Sequence, residues 1–180
     1  MILSRLFRRN SLEKPAAALY GDIVRRARTP VFYEQAGVPD TVDGRFEMIT
    51  LHAFLVMRHL RRGGEQAQKL SQTLFDQMFA DMDQSLREIG IGDLSVGKHI
   101  KKMAKAFYGR VAAYDAALDG GAEPLEDALR RNHYGTAEDV SDAAVGLLAD
   151  YVRSADAYMT ALGAAPLLAG RAEFGPVPGE

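Results

Sequence analysis

The apolar residues of this chain recur at intervals of three and four positions over most of its length. On an α-helix this spacing places them along one face, whereas a strand would alternate apolar and polar residues. The chain shows neither strand-like alternation nor an internal repeat. The sequence therefore predicts an all-α fold, a single-domain bundle of five to seven helices without a sheet. The predicted helices cover about 15–28, 46–60, 66–89, 96–118, 122–132 and 140–162.

The predicted helix over 46–60 is apolar around much of its circumference, which is typical of a helix buried on most sides. We therefore expect it to lie at the centre of the bundle. Gly63 and Gly64 follow it, and so short a link predicts an antiparallel hairpin with the next helix. Five methionines are either core filler or an adaptable groove for a partner helix. They are Met48, Met57, Met78, Met82 and Met103.

The predicted helix over 96–118 has two contrasting faces. Its apolar stripe runs from Val96 to Leu118. At about 100° per residue, four lysines fall within roughly a third of the circumference on the opposite side. This cationic face is either a solvated surface or a docking site for an acidic or phosphate-bearing partner. The four residues are Lys98, Lys101, Lys102 and Lys105.

Charged residues near the helix ends predict local contacts. Arg87 lies four positions after Asp83 on a helix, a spacing that favours an ion pair. Arg45 is expected to pair with Asp40 or Asp43 in the loop before the central helix. Several residues can also cap the free N–H groups at helix starts. The candidate caps are Asp40 or Thr41, Asp93 or Ser95, and Thr136 with Asp139.

The two ends of the chain differ in composition from its middle. Residues 1–14 mix arginines with apolar residues, and we interpret them as a flexible basic terminus, the alternative being a short amphipathic element on an anionic bilayer. Residues 164–180 are rich in Ala, Gly and Pro and are expected to form a mobile tail. Residues 15–163 are predicted to form the helical domain.

Composition excludes several kinds of chemistry. The 180 residues include no cysteine, which excludes disulfides, thiolate nucleophiles and iron–sulfur sites. No apolar run approaches the ~18 to 20 residues of a membrane span, so we expect a soluble chain. The net charge of −2 combines a basic beginning with an acidic last third.

The candidate catalytic and metal-binding residues do not assemble into a recognisable active site. His52 and His59 are seven positions apart, about 10.5 Å along a helix, which is too far to share one metal ion. Asp81 and Asp83 point to different sides of a helix. The H-E-x-x-H, P-loop and G-x-S-x-G motifs do not occur. The sequence therefore predicts a protein that is not an enzyme and has no catalytic residue, metal or cofactor.

Two segments carry a resemblance to a known family. They read FYEQAGVPDTVDGRFEMITLH and LREIGIGDLSVGKHIKKMAKAFYGR. The second continues a D-x-D-x-x-L-R-E-x-G-x-G-D block from Asp81 to Asp93 and ends in F-Y-G-R at Phe107 to Arg110. Together they resemble the ubiquinol–cytochrome c chaperone family, whose mitochondrial members are assembly factors for cytochrome b of respiratory complex III. The resemblance covers roughly Tyr20 to Leu118 and leaves the tail mostly outside.

The resemblance implies a non-enzymatic assembly chaperone of bacterial type. Its implied partner is a protein client, cytochrome b or another respiratory subunit. In mitochondrial relatives the domain works with a small partner at the ribosomal exit, so the ribosome or a small helper protein is a further expected partner. Peripheral contact with the membrane fits the same role, and no DNA is expected.

The expected mechanism has two parts. The four lysines steer the chain toward an anionic surface, and a neighbouring apolar groove holds the client. The alternative function is a nucleic-acid, ribosome or anionic-lipid binding module without client specificity, which predicts affinity that falls steeply with salt. The predicted partner-binding residues are Lys98, Lys101, Lys102, Lys105, Asp93, Arg87, Phe107, Tyr108, Arg110, Asp40 and Arg45.

Overall fold

The computed structural model describes the backbone of residues 2–135, 137 and 139–177, and within it the side chains from residue 12 onward except that of residue 94. All regular structure in this part of the chain is helical, which confirms the predicted fold class. The helices are α1 (Ile2–Ala27), α2 (Val31–Glu34), α3 (Val42–Arg61), α4 (Gly64–Glu88), α5 (Asp93–Leu118), α6 (Leu125–His133), α7 (Asp142–Leu162) and α8 (Ala165–Leu168).

The number of helices differs from the prediction of five to seven, because eight occur in the described residues. The two additional helices, α2 and α8, have four residues each. A single turn is too short to show a three- and four-residue repeat, so the sequence pattern did not separate them from loops. The first helix also begins at Ile2 and contains Pro15, although the sequence placed its start near that proline.

Helix α3 lies at the centre of the bundle, as its apolar circumference predicts. All eleven of its residues in 50–60 are buried, and it packs against α1, α4, α5, α6 and α7. Thr41 caps its start, because the Thr41 side chain accepts a hydrogen bond of 3.1 Å from the backbone N–H of Gly44. The cap predicted at Asp40 or Thr41 is therefore confirmed at Thr41.

The caps predicted for the two later helices are not the ones observed. Gly92 precedes α5 without a side-chain hydrogen bond, so neither Asp93 nor Ser95 is the cap. Ser141 precedes α7 and accepts a hydrogen bond of 3.2 Å from the N–H of Ala144. Thr136 lies outside the described residues. The loop before α7 extends further than predicted, and the next available hydroxyl serves as the cap.

A polar cluster joins three helices at the far end of α3. The Arg58 guanidinium is 4% exposed and donates to Asp115 and Asp119 of the α5 end and to Asp156 of α7, at 2.5 to 2.9 Å. His59 contacts the same Asp156 carboxylate at 3.0 Å. Burial acts to raise the pKa of Asp156, but the hydrogen bonds and charges of His59 and Arg58 outweigh it and lower that pKa.

The predicted mobile tail is packed on the core as far as it is described. Leu167, Phe174 and Val177 are almost fully buried. The Phe174 ring meets the His52 ring edge to face at 4.9 Å, and the N–H of Ala172 donates to Asp22 of α1 at 2.9 Å. The expectation of mobility rested on the Ala, Gly and Pro content of the segment. It gave too little weight to Leu167, Phe174 and Val177, which pack into the core. The division of the whole chain at residues 14 and 163 stays a prediction.

Four of the five methionines are core residues. Met48, Met57, Met78 and Met82 are at most 6% exposed, so the structure supports the interpretation of these residues as core filler. Met103 of α5 is half-buried and borders a surface groove.

Candidate partner-binding site

An open apolar groove lies between α1, α3, α4 and α5, with a volume of about 310 Å³. Its floor and walls come from side chains on all four helices, and its lining is mainly apolar. Two apolar residues at its edge are strongly exposed, Val42 at 74% and Ile89 at 66%. A groove of this kind can receive the apolar face of a partner helix. The principal lining residues are Tyr20, Val24, Phe46, Ile49, Met82, Leu86 and Met103.

Helical spacing explains how these side chains reach the groove. Phe46 and Ile49 are three positions apart on α3, so they project from one face of that helix. Met82, Leu86 and Ile89 follow one another at four and three positions and form a row along the end of α4. The groove therefore lies where the beginning of α3 passes the end of α4.

A second, more polar cleft continues from the groove between α3, α5 and α6. It has a volume of about 520 Å³. The two share four lining residues, so they form one continuous surface. The polar part of the cleft includes Lys102, His99, Arg110, Arg131 and His133. The shared residues are Val42, Phe46, Leu86 and Met103.

The predicted residue Arg110 is held by an ion pair inside this cleft. Its Nε donates to Glu47 of α3 at 2.5 Å, and its Nη2 donates to the other oxygen of the same carboxylate. Both side chains are largely buried. Burial raises the pKa of Glu47, although the hydrogen bonds and charge of Arg110 oppose the change. Arg110 therefore connects α5 to α3 and also borders the cleft.

His133, which also borders this cleft, is a buried and uncharged histidine. Its Nδ1 is 3.2 Å from the Tyr114 hydroxyl, and its Nε2 has no hydrogen-bond partner in the described part of the chain. Burial lowers the pKa of His133 to about 3, and the charge of Arg110 adds to this effect. The imidazole is therefore uncharged at neutral pH.

The four lysines of α5 form an exposed cationic surface that we call the lysine ridge. Lys98, Lys101, Lys102 and Lys105 are all exposed, in agreement with the face predicted from their spacing. No ion pair with another described residue involves any of them, whereas arginines on five of the other helices pair with carboxylates. The positive charges of the ridge are therefore not balanced by ion pairs with described residues. The role of the ridge as a binding surface stays a prediction.

The two aromatic residues predicted beside the ridge have different environments. Phe107 is 1% exposed and packs between Phe75 and Phe79 of α4. Tyr108 is 57% exposed, and its ring stacks on Phe75 with centroids 5.4 Å apart. Only Tyr108 of this pair offers an accessible surface to a partner.

The remaining predicted residues form ion pairs at the periphery. Arg87 donates to Asp83 at 2.6 Å, as the four-residue spacing predicts, and also pairs with Asp93. Arg45 pairs with Asp40 at 2.7 Å, which is one of the two predicted partners. The Arg45 side chain reaches both the apolar groove and an open polar pocket that contains Asp40.

The structure also identifies lining residues that sequence reasoning did not select. Phe46, Leu86 and Ile89 looked like ordinary core residues, because apolar residues at helix spacing are normally buried, and Val42 fell in the predicted loop before the central helix. Their accessibility depends on how the ends of two helices cross, and no local signal in the sequence reports it. Glu47 lay within a predicted helix and His133 directly after one, and the sequence named no partner for either residue.

The two histidines of the central helix are structural. His52 is fully buried, with Nδ1 2.7 Å from the Met48 carbonyl and Nε2 2.8 Å from the Tyr151 hydroxyl. Burial lowers its pKa to about 4. The described residues contain no group of three His, Asp or Glu side chains placed to hold a metal ion. None of the described helices has the length and apolarity needed to cross a membrane.

Comparison with known proteins defines the class of this chain. A family model described as ubiquinol-cytochrome C chaperone matches residues 34–174, which is more than three quarters of the sequence. The chain therefore belongs to the ubiquinol-cytochrome C chaperone family, which is a family of assembly factors and not of enzymes. The match starts later than the resemblance at Tyr20 and extends well beyond Leu118 into the packed tail.

Individual relatives agree with this assignment. The chain is similar to ubiquinol-cytochrome-c reductase complex assembly factor 1 of Xenopus laevis, with 24% identity over 85% of this chain and 76% of the relative. The assembly factors of the same name in mouse and human are also 24% identical over 85% of this chain, which spans only about half of their length. The crystal structure of the Cbp3 homolog from Brucella abortus has a TM-score of 0.82, 40% identity and 99% coverage of both chains.

Proposed function

We propose that this chaperone assists the assembly of respiratory complex III by holding an apolar segment of cytochrome b, or of another subunit, in the groove between α1, α3, α4 and α5. The observation that carries the proposal is the exposure of Val42 and Ile89 at the edge of that groove. Large exposed apolar side chains beside a concave apolar surface are typical of a protein-binding site.

The groove and the lysine ridge have different physical effects. Burial of apolar surface contributes about 25 cal/mol for each Å² removed from water, so the groove supplies affinity. Exposed charges act mainly on the rate of association and on its salt dependence. Lys102 borders the cleft that continues the groove, so an approaching client would meet the cationic ridge next to the apolar surface.

Other partners follow from the family resemblance alone. The ribosome and a small helper protein are proposed because mitochondrial relatives are expected to work with them. A cytoplasmic location with peripheral contact at the inner membrane is proposed on the same basis. The alternative of a nucleic-acid or lipid-binding module without client specificity is not favoured, because the family match is to assembly chaperones.

A pair of matched double variants tests the proposed groove in the organism that encodes the protein. Val42→Glu with Ile89→Glu places two carboxylates at the groove edge, whereas Tyr158→Glu with Leu162→Glu changes two exposed apolar residues of α7. We expect the groove variant to lose most ubiquinol–cytochrome c reductase activity of the membranes and the α7 variant to keep it. Circular dichroism and thermal unfolding should show that both variants fold. Full activity of a folded groove variant would contradict the proposed function.

A further inference from the structure

We propose that the lysine ridge, with the exposed Tyr108 beside it, docks on the surface of an anionic lipid bilayer. This surface is distinct from the apolar groove. The proposal goes beyond client binding, because it assigns a lipid surface to the outer face of α5.

The outer face of α5 is continuous and free of acidic residues. Lys98, Lys101, Lys102, Lys105 and Tyr108 are exposed on it, and Gly109 and Ala112 extend it toward the end of the helix. No acidic residue occurs in α5 between Asp93 and Asp115, and Asp93 pairs with Arg87. At 1.5 Å per residue the face is about 21 Å long from Lys98 to Ala112. The face of α5 itself therefore presents cations and no carboxylate to an anionic surface.

The use of lysine rather than arginine on the ridge favours a partner whose negative charge is spread over a surface. Outside the ridge the protein uses arginine for directed contacts, such as Arg58 of α3 with three aspartates and Arg110 on another side of α5 with Glu47. Arginine is suited to such contacts because its planar group has fixed donor directions. The ridge consists only of lysines, which are flexible point charges. A cluster of four such cations on one helix face matches the negative surface potential of an anionic bilayer.

Tyr108 favours a bilayer over RNA as the partner of the ridge. Tyrosine is suited to the boundary between headgroups and acyl chains, because its ring is apolar and its hydroxyl is polar. Recognition of single-stranded RNA relies on aromatic rings free to stack with bases. One face of the Tyr108 ring is already stacked on Phe75, and Phe107 is buried. The ridge therefore offers at most one face of one aromatic ring to a base, whereas single-strand recognition typically stacks successive bases on several rings.

Docking through this ridge would also place the groove near the bilayer. Lys102 belongs to the ridge and borders the cleft that shares Met103 with the groove. The approach of a membrane-embedded client to the groove would then need little reorientation of the chaperone. This consequence rests on the proposed function, whereas the lipid contact itself does not.

The absence of cysteine from the chain allows a direct test by site-specific labelling. Ala112→Cys on the ridge and Ala157→Cys on the exposed face of α7 would each carry an environment-sensitive fluorophore. The probes are phosphatidylcholine vesicles with or without about 30% phosphatidylglycerol. We expect a blue shift of the label at residue 112 with anionic vesicles only, reversed by about 0.5 M NaCl. The label at residue 157 should not respond.

Two charge variants with unchanged cysteine content measure the contribution of the ridge. The first replaces Lys98, Lys101, Lys102 and Lys105 by Gln, and the second replaces by Gln four cations exposed outside α5, namely Arg25, Arg62, Lys69 and Arg153. Both remove four positive charges. Each surface lysine contributes about fivefold to affinity for an anionic membrane, so the first variant, which lacks four of them, should bind these vesicles roughly six hundredfold more weakly. The second should change the affinity by less than about threefold, because its charges lie outside the contact.

The outcomes separate this inference from the proposed function. Equal losses in both charge variants, or an unresponsive label at residue 112, would overturn lipid docking by the ridge. Binding to ribosomes or to poly(U) that depends on the ridge, without vesicle binding, would overturn it in favour of a phosphate-bearing macromolecule. The Val42→Glu/Ile89→Glu variant should still bind anionic vesicles. If that variant loses reductase activity, the proposed function is supported. If the wild type at the same time does not bind vesicles, lipid docking by the ridge is refuted.

Discussion

At the scale of single residues, Arg58 has more ionic partners than any other residue in the described part of the chain. It is almost fully buried and contacts carboxylates of α7 and of the end of α5 from its position in α3. Removing one member of a buried ionic cluster is costly, because the remaining charges lose their compensation. Arg58 is therefore expected to contribute strongly to stability, although its neighbours in the sequence, Met57 and His59, give no sign of this role.

The Arg58→Ala variant should lower the free energy of unfolding by about 3 kcal/mol. The matched control is Arg61→Ala, because Arg61 is 43% exposed and also pairs with Asp115. An exposed ion pair contributes about 0 to 1 kcal/mol, so the control should lose much less stability. Urea unfolding followed by circular dichroism measures both values. Similar small losses in the two variants would show that the cluster is not the stabilising contact described here.

His133 should make the stability of the fold depend on pH. The folded protein keeps this imidazole uncharged down to about pH 3, whereas a histidine in an unfolded chain takes up a proton near pH 6.5. Between these values the unfolded state binds more protons, so stability falls as the pH falls. One such histidine contributes a slope of about 1.4 kcal/mol per pH unit. His52 acts in the same direction between about pH 6.5 and 4.

The His133→Asn variant tests this dependence, because the Asn amide can retain the contact with the Tyr114 hydroxyl. Urea unfolding at several values between pH 6 and 4 gives the slope for wild type and variant. We expect the variant to have a slope smaller by about 1.4 kcal/mol per pH unit in the lower part of this range. An unchanged slope would mean that His133 is charged in the folded protein.

At the scale of elements, the segment after α7 stabilises the centre of the bundle. Phe174 fills the space next to the His52 ring, and Arg26 of α1 lies 5.9 Å from the centre of its ring. Removing a buried phenylalanine ring typically costs 3 to 5 kcal/mol. This segment is an integral part of the fold, even though it contains only the short helix α8.

The Phe174→Ala variant should therefore lower the free energy of unfolding by roughly 3 to 5 kcal/mol. Leu162→Ala is the control, because Leu162 is 39% exposed at the end of α7, and surface substitutions usually change stability by less than about 0.5 kcal/mol. Chemical denaturation of both variants measures the difference. A Phe174 variant as stable as the control would support the original expectation of a loosely held tail.

Sequence periodicity predicted most helices because their buried faces are long. The stripe of α5 is an example, since Val96, Phe107 and Tyr114 are all buried and Asp119 follows its end as predicted. Periodicity gave a wrong expectation where an apolar segment was too short to repeat, and where the exposure of a residue depended on the crossing of helices. The tail contributes isolated apolar side chains without a helical repeat, and Ile89 fits the repeat of α4 yet is 66% exposed.

At the scale of the whole molecule, the candidate site is a product of helix placement. Its groove combines side chains from four helices that are as much as 83 positions apart, such as Tyr20 and Met103. Sequence reasoning identified the lysines and Met103, because one helix displays them together. It could not identify the opposite wall, which depends on the crossing of α3 with α4.

Similarity to complex III assembly factors establishes the class of protein. The geometry supplies a specific hypothesis about which surface holds the client, since the groove and the lysine ridge are adjacent and α5 contributes to both. The central claim is therefore that a complex III subunit lies against the groove edge at Val42 and Ile89.

Site-specific photo-crosslinking in the native organism tests this claim most directly. A photoreactive amino acid replaces Ile89 at the groove edge or, as the matched control, Tyr158 on α7, and the adducts are identified by mass spectrometry. We expect position 89 to form adducts with cytochrome b or another complex III subunit, and position 158 to form few or none. Equal labelling at both positions, or no complex III subunit among the adducts at position 89, would contradict the account.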